Sequence, residues 1–322
     1  MNVAGERDRP YELLRRRARR RGSNPLPFSI RIQSNANQVR QAPLACCFHT
    51  FHHLSTINMS ETIQSAQHLQ KSDTNRIIDS IVACVERAKL EREPFEHFHM
   101  QDIFPPDVYS VMVSSFPARD AYHNLRHKDA NLPDGTSTRK MFEFYDERIA
   151  KLPSGQAATW SVIRDALCDV QVRNAIFSKL RKPIEARIGH ESEEVRLNGD
   201  NVENVEAYPR PALYRDESGY RITPHPDSPL KIVTVQFYLP ADQSQRQLGT
   251  SLYRRKTWAQ RLFSPLGSPF ERVRKFDFLP NSGYGFAVTN NSFHGREQIS
   301  AADGLRHSIL LFYLREAVRL TY

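Results

Sequence analysis

The sequence contains no Cys-x-x-Cys pair, no long apolar run and few acidic residues in its first 58 positions, and each absence narrows what the chain can be. Its four cysteines are Cys46, Cys47, Cys84 and Cys168, and none has the spacing of a zinc site or a disulfide framework, so a reducing compartment is expected. No apolar stretch approaches the roughly 20 residues that a membrane-spanning helix needs, so no membrane partner is expected. Apolar residues make up 39% and aromatics 10% of the chain, enough to build a sizeable core and to exclude a wholly disordered protein.

The formal net charge of +9 is unevenly spread. Residues 1–58 hold ten arginines against Glu6, Asp8 and Glu12, so +7 lies there and +2 is left for the other 264 residues. A nucleic-acid-binding domain carries its positive charge on the folded part, and here that part is nearly neutral. The tail shows no stable period: an Arg-rich run at 15–21 is followed by Pro25, Pro27 and scattered Ser and Asn. Arg-rich, acid-poor composition is how an organellar presequence reads. Met59 is the competing start, because MSETIQSAQHLQKSD has the character of an ordinary soluble N-terminus. His49, His52 and His53 lie in this tract with no framework to hold a metal. A cytoplasmic protein is expected, with an organellar address as the alternative if the tail is a presequence.

From residue 73 the pattern turns helical. Ile77, Ile78, Ile81, Val82 and Val85 recur at helical spacing, with Ser72 or Thr74 available to cap. Further helices are predicted near 106–116, 156–170 and 171–188, the last carrying the stripe Val172, Ile176, Leu180 and Ile184. Residues 118–140 are polar and rich in turn formers, and read as a long loop or lid. Extended runs follow at 204–214, 230–240, 249–254, 272–279, 284–289 and 306–314, punctuated by Gly, Pro, Asn and Asp. The expected fold is α+β: one domain over 59–322, with helices over about 72–190 buttressing a barrel or sandwich of antiparallel strands over about 200–316.

Two spacings carry chemistry. His225 and Asp227 stand at i and i+2, so an extended chain points both side chains to one side. His294, beside a glycine after the strand-like YGFAVT, offers a third ligand. Two imidazoles and one carboxylate on one face of iron leave the opposite positions open. The His-x-Asp pair is weak by itself: twelve histidines and an average Asp usage near 5% give about 0.6 matches by chance. His127-x-Asp129 in the polar loop imitates it, but no β-run or distal partner follows. The second spacing is GLRHSILLFYLRE, where Arg306 and Ser308 share a strand face with Leu310 and Phe312. An arginine on such a face points into the interior and needs a carboxylate. No acidic residue is an evident partner in the sequence, which makes an external carboxylate the expectation and an internal ion pair the alternative.

His-x-Asp, a distal His and Arg-x-Ser on the last strand together resemble the Fe(II)/2-oxoglutarate dioxygenase superfamily, most closely its prolyl-4-hydroxylase-like branch. The resemblance covers about residues 205–315. A weaker echo is PFEHFHMQDIFPPDVYSVMVSSFP, similar to the helical lead-in of many members. It implies a double-stranded β-helix (a jelly-roll, cupin-like barrel), with His225, Asp227 and His294 as metal ligands. It also implies Arg306, helped by Ser308, on the distal carboxylate of 2-oxoglutarate. Tyr214 falls about where relatives place a tyrosine near that carboxylate, with Tyr208 and Tyr220 as alternatives. Gly249 and Thr250 resemble the turn into a barrel strand. The implied cofactors are Fe(II), 2-oxoglutarate and O2, with ascorbate as a candidate reductant. The implied reaction is hydroxylation of a C–H bond in a peptidyl residue, an amino acid or a small metabolite, releasing succinate and CO2. Residues 118–140 and 255–272 are the candidate selectivity regions.

Two competing readings each lack a residue pattern they need. A nucleic-acid-directed oxidative demethylase would carry a second arginine six residues after the first, where Phe312 stands. A catalytically silent barrel serving as a binding module would have lost a ligand or the arginine, and all four positions are filled.

Overall fold

A computed structural model describes residues 68–125, 127, 129–191, 205–262 and 267–315. The basic tail with its histidines and Cys46-Cys47 lies outside them, as does part of the 255–272 insert. The described residues fall in one unit, Thr62–Tyr322. No described helix is long and apolar enough to cross a membrane.

Six helices come first: α1 (Asp73–Arg87), α2 (Pro106–Ser114), α3 (Asp146–Ile149), α4 (Ser154–Leu167), α5 (Val170–Lys179) and α6 (Arg181–Glu191). Helix α1 buries Ile77, Ile78, Ile81, Cys84 and Val85 on one stripe, with Asp73 and Arg87 placed to complement its dipole. Neither expected residue caps it through its side chain. The Gln70 N–H instead donates to the Asp73 carboxylate at 2.8 Å. The single helix predicted over 171–188 is two, broken at Leu180. Pro183 has no N–H to continue the ladder, so the turn is remade while Val172, Ile176, Leu180 and Ile184 all stay buried.

Four strands lie among these helices: β1 (Leu90–Glu91), β2 (His97–Gln101), β3 (His123–Asn124) and β4 (Arg139–Glu143). The remainder is β5 (Tyr208–Asp216), β6 (Ile222–His225), β7 (Lys231–Tyr238), β8 (Ser251–Arg255), the short helix α7 (Trp258–Leu262), β9 (Phe270–Lys275), β10 (Ser282–Ala287), β11 (His294–Arg296) and β12 (Arg306–Leu314). The larger sheet runs β1-β2-β10-β7-β12-β5-β4-β3 and the smaller β6-β11-β8-β9, with every pairing antiparallel. From β5 onward the chain passes repeatedly between the sheets and winds a double-stranded β-helix, as the sequence implied.

The larger sheet is apolar on both faces, but in different company. Its outer face presents Leu213, Val233, Val235, Phe237, Ile309, Leu311 and Tyr313, which pack in one cluster with Ile77, Trp160, Ile176 and Phe177 of the helices. The opposite parity faces the barrel interior, where Asp216, Thr234, Gln236, Arg306 and Ser308 interrupt the apolar residues. Residues 118–140 are less loop-like than predicted. Strand β4 ends that stretch and adds to the larger sheet beside β5. Its Arg139, Lys140 and Glu143 are buried, so a charge pattern that reads as solvated surface belongs to the interior.

Gly249 and Gly295 are among the glycines required by space rather than by dihedral angle. A Cβ on Gly249 would lie 1.7 Å from the Phe276 carbonyl oxygen, and one on Gly295 would lie 2.8 Å from that of Ile222. The second contact keeps β11 close against β6. Leu311, fully buried on the central strand β12, tests the helix–sheet interface. Leu311→Ala is expected to lower the unfolding free energy by about 2–5 kcal/mol, read by urea denaturation. A loss under ~1 kcal/mol would contradict its core position.

Candidate metal centre

The smaller sheet brings the two histidines together. Strands β6 and β11 pair so that His294 stands directly opposite His225. Their ring centroids are 4.6 Å apart. Asp227 follows two residues after His225, and one ligand atom from each of the three lies within 4.8 Å of the others. His294 Nε2 is 3.8 Å from Asp227 Oδ2.

Each imidazole is oriented by a main-chain carbonyl two residues before it. His225 Nδ1–H donates to the Thr223 carbonyl at 2.9 Å and His294 Nδ1–H to that of Ser292 at 3.0 Å. A carbonyl only accepts, so the proton sits on Nδ1 and each Nε2 lone pair is left for a metal. Asp227 receives Lys231 Nζ on Oδ1 at 2.5 Å and the Thr234 hydroxyl on Oδ2 at 2.7 Å. The Lys231 ammonium also lies 3.7 Å from the centroid of the Phe312 ring.

Desolvation and the neighbouring His294 push the His225 pKa down to about 4, and desolvation lowers His294 as well. Burial alone would raise Asp227, but Lys231 and the two histidines outweigh it and hold the carboxyl well below its usual range. At neutral pH the set is two neutral imidazoles and one carboxylate, the donor chemistry of a 2-His-1-carboxylate Fe(II) site with open positions. The residues present fit the metal.

His127 and Asp129 do not assemble a second site. The Asp129 N–H donates to His127 Nδ1 at 3.2 Å, and His225, Asp227 and His294 form the one metal-capable cluster among the described residues.

The ligands border a cavity of about 420 Å³ that runs into the barrel. That is within the range of small-molecule sites. Tyr214 and Tyr220 both line it, and Tyr208 does not; the Tyr208 hydroxyl is engaged by Glu206. Leu125 and His127 bring the 118–140 segment to the wall. No described residue of 256–272 lines it, and Trp258 and Leu262 there are exposed.

Arg306 has the internal ion pair that the sequence left as the alternative. It lines the cavity at 1% exposure, as an inward-facing residue should, but it has an internal carboxylate. Its Nη1 donates to Asp216 Oδ2 at 2.8 Å, and its Nε donates to the Leu248 carbonyl at 2.9 Å. Asp216 stands opposite Arg306 in the β5–β12 register and opposite Arg139 in the β4–β5 register. Arg139 Nε lies 3.2 Å from Asp216 Oδ1, so one carboxylate serves two guanidinium groups. The sequence hid this because the partner is contiguous in the sheet, not in the chain. Ser308 is also placed differently from expectation. Its hydroxyl takes Gln236 Nε2 at 3.0 Å and Arg306 Nη1 at 3.4 Å, and it is not among the cavity's lining residues.

Several cavity residues were not anticipated. Arg139 on β4 sits with its guanidinium 4.4 Å from the Tyr214 ring centroid, and nothing in its polar local sequence signals that position. Arg296 was signalled: it follows His294 by two residues, the same period that pairs His225 with Asp227. Gln236, Thr250 and Tyr284 form a buried polar layer, in which Gln236 Oε1 accepts from Thr250 at 3.2 Å and Tyr284 at 3.0 Å.

Comparisons with known proteins can be set beside this geometry. The chain is similar to prolyl 4-hydroxylases. A Pseudomonas putida prolyl-4-hydroxylase shares 12% identity over 74% of this chain and 100% of its own, with a TM-score of 0.43. A Phytophthora capsici prolyl 4-hydroxylase shares 12% over 79% and 72%, at 0.42. A Trichoplax adhaerens prolyl hydroxylase, solved with a hypoxia-inducible-factor peptide, shares 14% over 76% and 91%, at 0.40. No family model and no curated protein matches the chain.

Two outcomes test the site. Thr234→Val keeps the shape and removes the hydrogen bond that orients Asp227, and is expected to weaken Mn(II) binding about 10-fold by titration calorimetry. Asp216→Asn leaves two buried guanidinium groups without their anion, and is expected to cost about 3–5 kcal/mol of stability in urea unfolding.

Proposed function

We propose that the protein is an Fe(II)- and 2-oxoglutarate-dependent oxygenase that hydroxylates a C–H bond of a peptidyl residue, an amino acid or a small metabolite. The observation that carries this reading is the converging set His225, Asp227 and His294, in metal-binding protonation states, at a cavity with arginines in its wall. Iron, 2-oxoglutarate and O2 would supply the oxidising power, with release of succinate and CO2.

The protein's own share of the work is positional. Thr223 and Ser292 carbonyls aim the two Nε2 atoms. Lys231 and Thr234 fix the Asp227 carboxylate and offset its charge. The cationic wall formed by Arg139, Arg296 and Arg306 suits a dicarboxylate, and Tyr214, Leu310 and Phe312 keep the space beside the metal largely apolar. Leu125 and His127 at the wall make residues 118–140 the candidate for substrate choice. Cytoplasmic residence is part of the proposal, since Fe(II) and unpaired cysteines both suit a reducing compartment.

Anaerobic addition of Fe(II) and 2-oxoglutarate should produce a weak visible charge-transfer band that His225→Ala abolishes. A missing band, or one that survives the substitution, would count against the site. Succinate formation in the presence of oxygen separates an enzyme from a silent barrel.

A further inference from the structure

No described residue of the insert between β8 and β9 reaches the metal cavity, yet the insert holds an ordered helix. A capping box starts α7: the Thr257 N–H donates to Gln260 Oε1 at 2.9 Å, and the Gln260 N–H donates to Thr257 Oγ1 at 3.3 Å. These local bonds, rather than packing, hold the helix, because none of its residues is buried. Trp258 is 77% and Leu262 66% exposed. They stand at i and i+4, so a single face of α7 presents both to water. Scattered apolar side chains on a surface are ordinary, whereas two large ones stacked over one turn mark a contact surface.

Positive charge gathers at the same place. Residues 254–275 hold seven Lys and Arg against Glu271 alone, which is +6, so the rest of 59–322 carries −4. Four of the seven are matched within the fold: Arg254 pairs with Glu93 and Arg274 with Glu91, while Arg272 and Lys275 share Glu297 at 2.9 and 3.2 Å. Arg255, Lys256 and Arg261 pair with no carboxylate among the described residues. Arg255 lies over the Phe293 ring, 5.2 Å from its centroid. Arg261 follows Trp258 by three residues, which sets a cation beside the exposed indole.

We infer that α7 and the residues leading into it form a peripheral docking site for an anionic lipid surface. Trp258 and Leu262 enter the interface, and Arg255, Lys256 and Arg261 meet the anionic headgroups. Trp suits that depth, since its ring is apolar and its indole N–H stays among polar groups. Each basic residue near an anionic leaflet adds attraction, and the cytoplasmic leaflet is anionic. A nucleic acid would satisfy the three cations but leave Leu262 in water, with no ring to stack on a base. The expectation of no membrane partner followed from the lack of a spanning segment, and a contact in the plane of the interface needs none.

The chain carries its own reporter. Of its two tryptophans, Trp160 is fully buried with its indole N–H on the Ser115 carbonyl at 2.8 Å, so only Trp258 changes surroundings on docking. The full chain is mixed with vesicles of phosphatidylcholine, alone or with about one-third phosphatidylserine, and followed by co-sedimentation and tryptophan emission. Binding to the phosphatidylserine vesicles only, a blue shift of the emission and release by salt are expected. Trp258→Ala with Leu262→Ala should weaken that binding at least ~10-fold, and Lys256→Gln with Arg261→Gln about 25-fold. Both variants should keep the parent's melting temperature and Mn(II) affinity, since α7 buries nothing and lies outside the cavity. No binding to phosphatidylserine vesicles, or equal binding to both kinds, overturns the inference. Binding with unshifted emission that both variants retain also overturns it, and moves the contact to the basic tail. An equal affinity and emission shift with oligo(dT) or polyglutamate overturns it in favour of a nucleic acid or an acidic protein.

Discussion

One carboxylate, that of Asp216, governs how the inner face of the larger sheet is built. It stands between Arg139 on β4 and Arg306 on β12, opposite both by strand register. A one-residue slip of either neighbour would turn an arginine to the outer, helix-covered face and leave a charge among Ile and Phe side chains. The ion cluster therefore locks three strands in phase, and the polar layer of Ser308, Gln236, Thr250 and Tyr284 is built beside it. Asp216 also sets the electrostatics of the cavity. As the single anion shared by Arg139 and Arg306, it leaves the cavity wall net positive, so the charge of the wall and the strand register depend on the same residue.

The metal ligands follow a simpler logic. An i, i+2 spacing in extended chain places His225 and Asp227 on one side, and that much is legible in the amino-acid sequence. The distal histidine is legible only as a candidate, because its position opposite His225 depends on β6 and β11 pairing. Both strands are short, neither has an apolar run, and Gly295 lets them approach. The strands that sequence patterning reveals carry β-branched and aromatic residues in alternation, as β7 and β12 do. Those that it conceals, β2 and β4, carry histidines or charges whose partners lie on other elements. Arg139 illustrates this: read locally it belongs to a polar loop, and only the distant Asp216, Tyr214 and Tyr220 make it a core residue.

Arg306 shows a physical expectation met by a partner that the sequence does not make evident. Its inward direction and its need for a carboxylate both hold. An internal carboxylate is present, because Asp216 closes β5 and meets Arg306 across the sheet. Arg296 also has a sequence signal, two residues from a metal ligand on the same strand, but no apolar context draws attention to it.

The hydrogen bonds that aim the two imidazoles come from backbone carbonyls two residues earlier in the chain, Thr223 on β6 and Ser292 in the turn before β11. No side-chain hydrogen bond holds either ring, although Phe286 packs against His294 with ring centroids 4.8 Å apart. Residues around the cavity can thus be exchanged over evolutionary time without disturbing the metal's coordination directions, and a new substrate can be acquired by repainting the wall while the reactive centre stays fixed. Lys231 and Thr234, which hold the carboxylate through their side chains, escape that freedom, as do Gly295, which lets β11 approach β6, and Arg139 and Arg306, which hold the strand register.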